Sequence, residues 1–171
     1  MSQSTPPTRP YVLGPADGQS WWFLGSLATV KAGGVDTRGR LTVAEFVNPA
    51  GFAPPLHRHH DEDEMFYLLS GTARFSCDGK EFVAGPGDFV MLPVGLAHTF
   101  VVGLDEPLHA LQITTPGGFE HFLAEAGEPA REHRLPGIGE WDQARLDPAA
   151  IGHASTRHRV EILGPPPSTA G

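Results

Sequence analysis

Short runs in which apolar and polar residues alternate, cut apart by glycine and proline, dominate the chain from residue 24 to residue 114. A period of two sends successive side chains to opposite faces of a strand, so one set of residues can be buried while the other meets water. On this pattern LGSLATVKA, RLTVAEFV, MFYLLSG, TARFSC, EFVA, DFVMLP, HTFVVG and LHALQIT are expected to be strands. The segments between them, such as CDGK and AGPGD, are built of turn formers. With 21 glycines and 17 prolines placed between short runs of Val, Phe, Leu and Thr, the punctuation is that of an all-β chain. Strands in this number and in antiparallel order predict a single jelly-roll β-barrel, an architecture that encloses a cavity.

The period changes once. Phe119, Phe122, Leu123 and Ala126 fall at i, i+3, i+4 and i+7, which predicts a short C-terminal helix over residues 118–126. Gly117 and Gly118 open it, and Gly127 and Pro129 close it. Its apolar stripe has two uses open to it, a lid over the barrel mouth or a cover for core. Beyond it REHR, LDPAA and GPPPSTAG read as an irregular tail. The expected organisation is a flexible arm over 1–10, a barrel plus helix over 11–128, and a C-terminal wrap with a disordered end over 129–171.

Bulk properties narrow the class. A length of 171 residues suits one domain with a real core. Twelve basic against 20 acidic residues give a formal charge of -8, which offers no basic stripe and argues against nucleic acid as a partner. No apolar run approaches the ~18 residues of a membrane span, and MSQSTPPTRP lacks the pattern of a signal peptide, so no membrane is expected and a cytoplasmic location is the default. The single cysteine, Cys77, excludes an internal disulfide and reads as a strand-end thiol.

Chemistry concentrates in two strings. GFAPPLHRHHDEDEMFYLLSG carries His57-x-His59, then Glu64 after four residues, then Gly71; GDFVMLPVGLAH carries Pro93-x-Gly95 and, after two residues, His98. Two apart on a strand, His57 and His59 share a face while Arg58 looks away. The polar stretch after them reads as a turn that returns the chain along a neighbouring strand, placing Glu64 opposite the pair, with His98 arriving from a third strand. His60 has the wrong parity for a ligand. Of Asp61, Glu62 and Asp63, one at most is expected to orient a ligand histidine. Three neutral imidazoles and one carboxylate would leave a divalent ion with a net charge of about +1 and an octahedral site with about two open positions. Manganese, iron, cobalt, nickel, copper and zinc all suit such donors.

These two strings resemble the paired motifs of the cupin superfamily at every spacing but one, Val102 standing where an Asn is frequent. The lead-in WWFLGSLATVKAGG and the trailing TTPGGFEHFLAEAGEPA are similar to those of small single-domain cupins grouped with quercetin dioxygenases, so the resemblance spans about residues 11 to 160. It implies the cupin jelly roll, a divalent transition metal held by His57, His59, Glu64 and His98, and attack of O2 on a flavonol with release of carbon monoxide. Glu64 would then be the catalytic base that deprotonates a metal-bound enol or phenol.

Extending strand parity from the ligands puts Phe66 and Leu68 on Glu64's face and Phe100 on His98's, and lines up Phe89 and Met91 on one face of their strand. With Phe119 and Phe122 from the helix, these are the expected substrate-pocket residues, and such walls suit a small aromatic substrate. Two other uses stay open: non-oxidative isomerase or lyase chemistry on a small enolisable molecule, and a small-molecule-binding module. A homodimer is expected, to cover apolar strands such as MFYLLSG.

Overall fold

The computed structural model describes residues 9–140 and 148–168. All the strands anticipated from the pattern are present: β2 (Ser26–Ala32), β3 (Thr42–Asn48), β5 (Asp63–Ser70), β6 (Ala73–Cys77), β7 (Lys80–Ala84), β8 (Phe89–Leu92), β9 (His98–Val102) and β10 (Leu108–Thr115). Joined to them are β1 (Gln19–Phe23), β4 (Leu56–His59), β11 (Glu128–Pro129) and β12 (Val160–Gly164). Among the described residues there are also three helices: α1 (Gly34–Thr37), α2 (Phe119–Ala126) and α3 (Pro148–Arg157). The strands form two sheets that face each other, a seven-stranded one in the order β11-β1-β2-β3-β10-β5-β8 and a five-stranded one in the order β12-β4-β9-β6-β7. Every strand pair is antiparallel. This is the jelly-roll sandwich that the alternation predicted.

Alternation translates into burial along β3 and β10, where every second residue is buried. The inward side chains gather into two apolar clusters. One, around Phe66, Leu68, Phe75, Phe100 and Leu108, fills the closed end between the sheets. In the other, Phe119, Phe122 and Leu123 of α2 and Ala154 of α3 pack on Trp21, Phe23 and Phe46. Gly71 shows how tightly the turn after β5 is drawn: its φ is +76°, and a Cβ there would lie 2.5 Å from the Pro107 carbonyl oxygen.

Three expectations change. Phe89 and Met91 do not face the cavity; they are 58% and 43% exposed on the outer face, whereas Val90 and Leu92 are buried. The ladder with β5 decides this, because Glu64 pairs with Leu92 and Phe66 with Val90, and directly opposed residues share a face. Glu64 does not lie on a strand beside the histidine pair either. The turn after His59 carries the chain across the sandwich, so β4 belongs to one sheet and β5 to the other. The stretch after residue 129, expected to wrap irregularly, contains two regular elements, α3 and β12. The flexible-arm expectation for 1–10 falls mostly outside the described residues, as do residues 169–171 of the expected disordered end GPPPSTAG. Among the described residues no helix is long and apolar enough to cross a membrane.

Candidate metal centre

The two sheets aim His57, His59, Glu64 and His98 at one point. One donor atom from each lies within 4.8 Å of the others. His57 pairs directly with His98 across β4 and β9, and Glu64 faces them from β5 in the opposite sheet. Glu64 Oε2 is 3.1 Å from His98 Nε2, and Oε1 is 3.9 Å from His59 Nε2. The second sequence string also braces the first, since the Gly95 amide donates to the His59 carbonyl oxygen at 2.8 Å.

Hydrogen bonds behind the rings set the tautomers. His57 Nδ1 donates to the Pro55 carbonyl at 2.7 Å, His98 Nδ1 to the Leu96 carbonyl at 2.9 Å, and His59 Nδ1 to Glu62 Oε2 at 3.0 Å. A carbonyl oxygen only accepts, so the proton of His57 and of His98 must sit on Nδ1, leaving both Nε2 lone pairs turned into the cluster. Glu62 does the same for His59, as expected of one acid in the DED run. Gln112 on β10 donates to Glu64 Oε1 at 2.7 Å and fixes the carboxylate. His98 Nε2, fully buried, has no hydrogen-bond partner despite its 3.1 Å approach to Glu64. A buried lone pair beside a carboxylate with no proton correctly placed between them is what a shared cation would satisfy. The donor set therefore fits a divalent transition metal.

The protonation energetics agree with that use. Burial pushes His57 down to about 4, helped by repulsion from His98. Although the residue keeps some exposure, its imidazole is enclosed and stays neutral at pH 7, as a ligand must. For Glu64 burial acts upward, but the His98 contact and the neighbouring imidazoles outweigh it and bring the carboxyl to about 2. His59 moves the other way: burial lowers it, and Glu62 followed by Glu64 more than compensates, so its value is raised.

These directions set the acid stability of metal-free protein. A depressed His57 stabilises the fold above its unfolded value of 6.5 and loses that contribution as pH falls toward 4, whereas a raised His59 stabilises fully below 6.5 and less above it. The melting temperature of chelator-treated protein is therefore expected to peak near pH 6.5 and to fall on the acid side. A flat profile from pH 7 to pH 4, followed by differential scanning calorimetry, would contradict the assignment.

A cavity whose interior is about 70 Å³ opens beside the ligands. Phe66, Phe100, Phe119 and Phe122 line it as the sequence suggested, and the Phe119 ring stands 5.9 Å from that of His59. Leu68 is inward but belongs to the packed closed end, away from the cavity. Phe23, Phe46, Phe52, Ile151, Val160 and Ile162 were not anticipated as lining, nor was Gln112. Gln112 carried a readable signal, a polar residue at the inward parity of LHALQIT. His60 points outward and pairs with Glu161 at 2.9 Å.

Residues 44–114 match the Cupin domain family. Quercetin 2,3-dioxygenase of Bacillus subtilis is 29% identical over 127 residues, which cover 74% of this chain and 37% of that protein. The chain thus spans little more than a third of that relative's length. Among solved structures, the polyketide cyclase RemF of Streptomyces resistomycificus superposes with a TM-score of 0.55 at 19% identity, covering 63% of this chain and 80% of that one. A predicted oxalate decarboxylase of Thermotoga maritima gives 0.56 at 19% identity, over 62% of this chain and 99% of that one. At such identities the likeness is one of fold.

Proposed function

We propose that this chain, a member of the cupin superfamily, is a metal-dependent dioxygenase that acts on a flavonol or a similar enolic or phenolic aromatic compound. The observation that carries the reading is the pairing of a four-donor centre with aromatic walls: apart from His57, His59 and Glu64, no ionisable side chain among the described residues lines the cavity. A sugar phosphate or a diacid would need an inward Arg or Lys, whereas a neutral aromatic compound is content with phenylalanine. The identity to a quercetin dioxygenase over three quarters of the chain points the same way.

A divalent ion held by His57, His59, Glu64 and His98 would acidify a bound hydroxyl and offer open positions beside it. Glu64 takes that proton at Oε2, the oxygen Gln112 leaves free. A carboxyl near 2 is a weak base, adequate only toward a hydroxyl so acidified. Gln112 keeps the carboxylate aimed while the charge is neutralised. Phe66, Phe100, Phe119 and Phe122 flank the reacting edge of the substrate and exclude water from the resulting electron-rich anion, which then meets O2. Oxygen consumption on adding quercetin, with protein reconstituted separately with manganese, iron, cobalt, nickel, copper and zinc and a His59→Ala blank, tests this. Uptake above the blank in at least one form is expected. No uptake in any form, with the site filled by metal analysis, would replace oxygenation with isomerase or lyase chemistry.

The same reading includes a homodimer. Tyr67, Leu69, Phe89 and Met91 are exposed on the outer face of β5 and β8, and β8 is an edge strand. Sedimentation is expected at twice the 18.3 kDa chain mass, reverting to the monomer in Phe89→Lys/Met91→Glu. A monomeric wild type would refute it.

A further inference from the structure

The chamber beside the ligands, about 70 Å³, is smaller than the roughly 150 Å³ that an engineered core cavity uses to hold benzene. An aromatic substrate can therefore place only its reacting edge there. A groove of about 560 Å³ lies next to it, within the roughly 300–1,000 Å³ typical of ligand sites. The two share one wall, formed by Leu24, Phe52, Pro55, Ile151 and Ile162. Ala53, Gly164, Pro165 and Pro166 also line the groove, and among the described residues no ionisable side chain does.

Part of that shared wall is built by the C-terminal elements. Ile151 comes from α3 and Ile162 from β12, and β12 pairs along β4, the strand that carries His57 and His59. The segment is tied down from both sides. Glu125 of α2 holds Arg157 and His158 at the end of α3, and Asp61 holds Arg159 just before β12. The groove is thus part of the fold, with walls anchored to the same strand as the metal ligands.

We propose that this groove is a second binding region, which takes an uncharged aryl arm of the substrate whose hydroxyl-bearing end sits at His57, His59, Glu64 and His98. The assignment rests on the reading of the site as one for aromatic substrates, and adds what lies beyond the reacting ring. Phe52 and the faces of Pro55, Pro165 and Pro166 offer flat apolar contact, suited to an aryl group and hostile to a sugar or a carboxylate, which would lose its hydration without a partner.

The test separates the groove from the chemistry. Full-length protein stripped of metal is titrated with 1-aminoanthracene, a neutral aromatic fluorophore, in the wild type and in Ala53→Arg and Pro166→Arg. Saturable emission is expected in the wild type, with affinity weakened by about tenfold or more in both variants, where a charge is forced into the apolar groove. The fluorophore should be displaced by 3-hydroxyflavone, which carries the aryl arm, and not by 3-hydroxy-4-pyranone, which lacks it. Wild type that does not bind, variants that bind equally well, or displacement by both compounds alike would overturn the proposal. If binding and displacement behave as expected but no metal form consumes oxygen with either compound, the groove stands and the oxygenase reading falls.

Discussion

Replacing Glu64 by Gln is expected to reduce turnover by about 10²- to 10⁴-fold, the range a positioned general base contributes, while leaving the fold intact. Gln112 donates to Oε1 at 2.7 Å, so the new amide keeps its oxygen on that side and turns its nitrogen toward His98. There, at the present 3.1 Å separation, it can donate to the His98 Nε2 that now has no partner. Metal-free Glu64→Gln protein should melt below metal-free wild type above pH 4.5, where the depressed carboxyl stabilises the fold, the new bond to His98 offsetting part of that loss. The same new bond competes with the ion for His98, so metal affinity falls without vanishing. Metal analysis, melting curves and oxygen uptake on one preparation check all three points. Full activity in the variant would dispose of Glu64 as the base.

How far the site could be read in advance depended on how unambiguously each residue's parity was set. His57 and His59 stand two apart around a charged Arg58, so only one face could be theirs, and a metal-ligand set followed. In DFVMLP both alternating sets are apolar, and the period alone does not say which set is inside; the ladder to β5 sends Val90 and Leu92 inward and leaves Phe89 and Met91 outside. Elements that lack alternation were harder still. β1 buries both Trp21 and Trp22, whose neighbours in sequence face opposite sides, because α2 covers one side and the Arg134 carbonyl receives the Trp22 indole N–H at 2.9 Å on the other. A strand covered on both faces has no polar set to mark it. α3 contains Gly152, Ser155 and Thr156, weak helix formers, and is held by Ile151 and Ala154 packing into the barrel end. β12 is a short edge strand with mostly exposed residues, and only its pairing to β4 defines it.

Loss of His98 should be the most damaging change of all. In His98→Ala protein three donors remain, no metal is expected to survive gel filtration at stoichiometric level, and oxygen uptake should fall to background. Stability suffers as well in the metal-free state, by about 1–3 kcal/mol, because the partly buried Leu96 carbonyl loses the Nδ1 proton it accepts and a space opens beside Glu64. Glu64 would keep Gln112 and a distant His59 at 3.9 Å, but His98 is the chief influence holding its carboxyl down. Its pKa then rises, and the sign of the consequence follows. A depressed carboxyl stabilises the fold above its unfolded value of 4.5 and loses that contribution as pH falls toward 2; raising the folded value removes the contribution at all higher pH and starts acid unfolding earlier. By contrast Glu62→Gln, which disturbs only the hydrogen bond behind His59, should weaken metal binding by about 10- to 100-fold and leave the acid limb of Glu64 in place. Melting temperature against pH for the two variants separates these effects, and an unshifted acid limb in His98→Ala would mean that Glu64 owes its low pKa to something other than the contact across the two sheets.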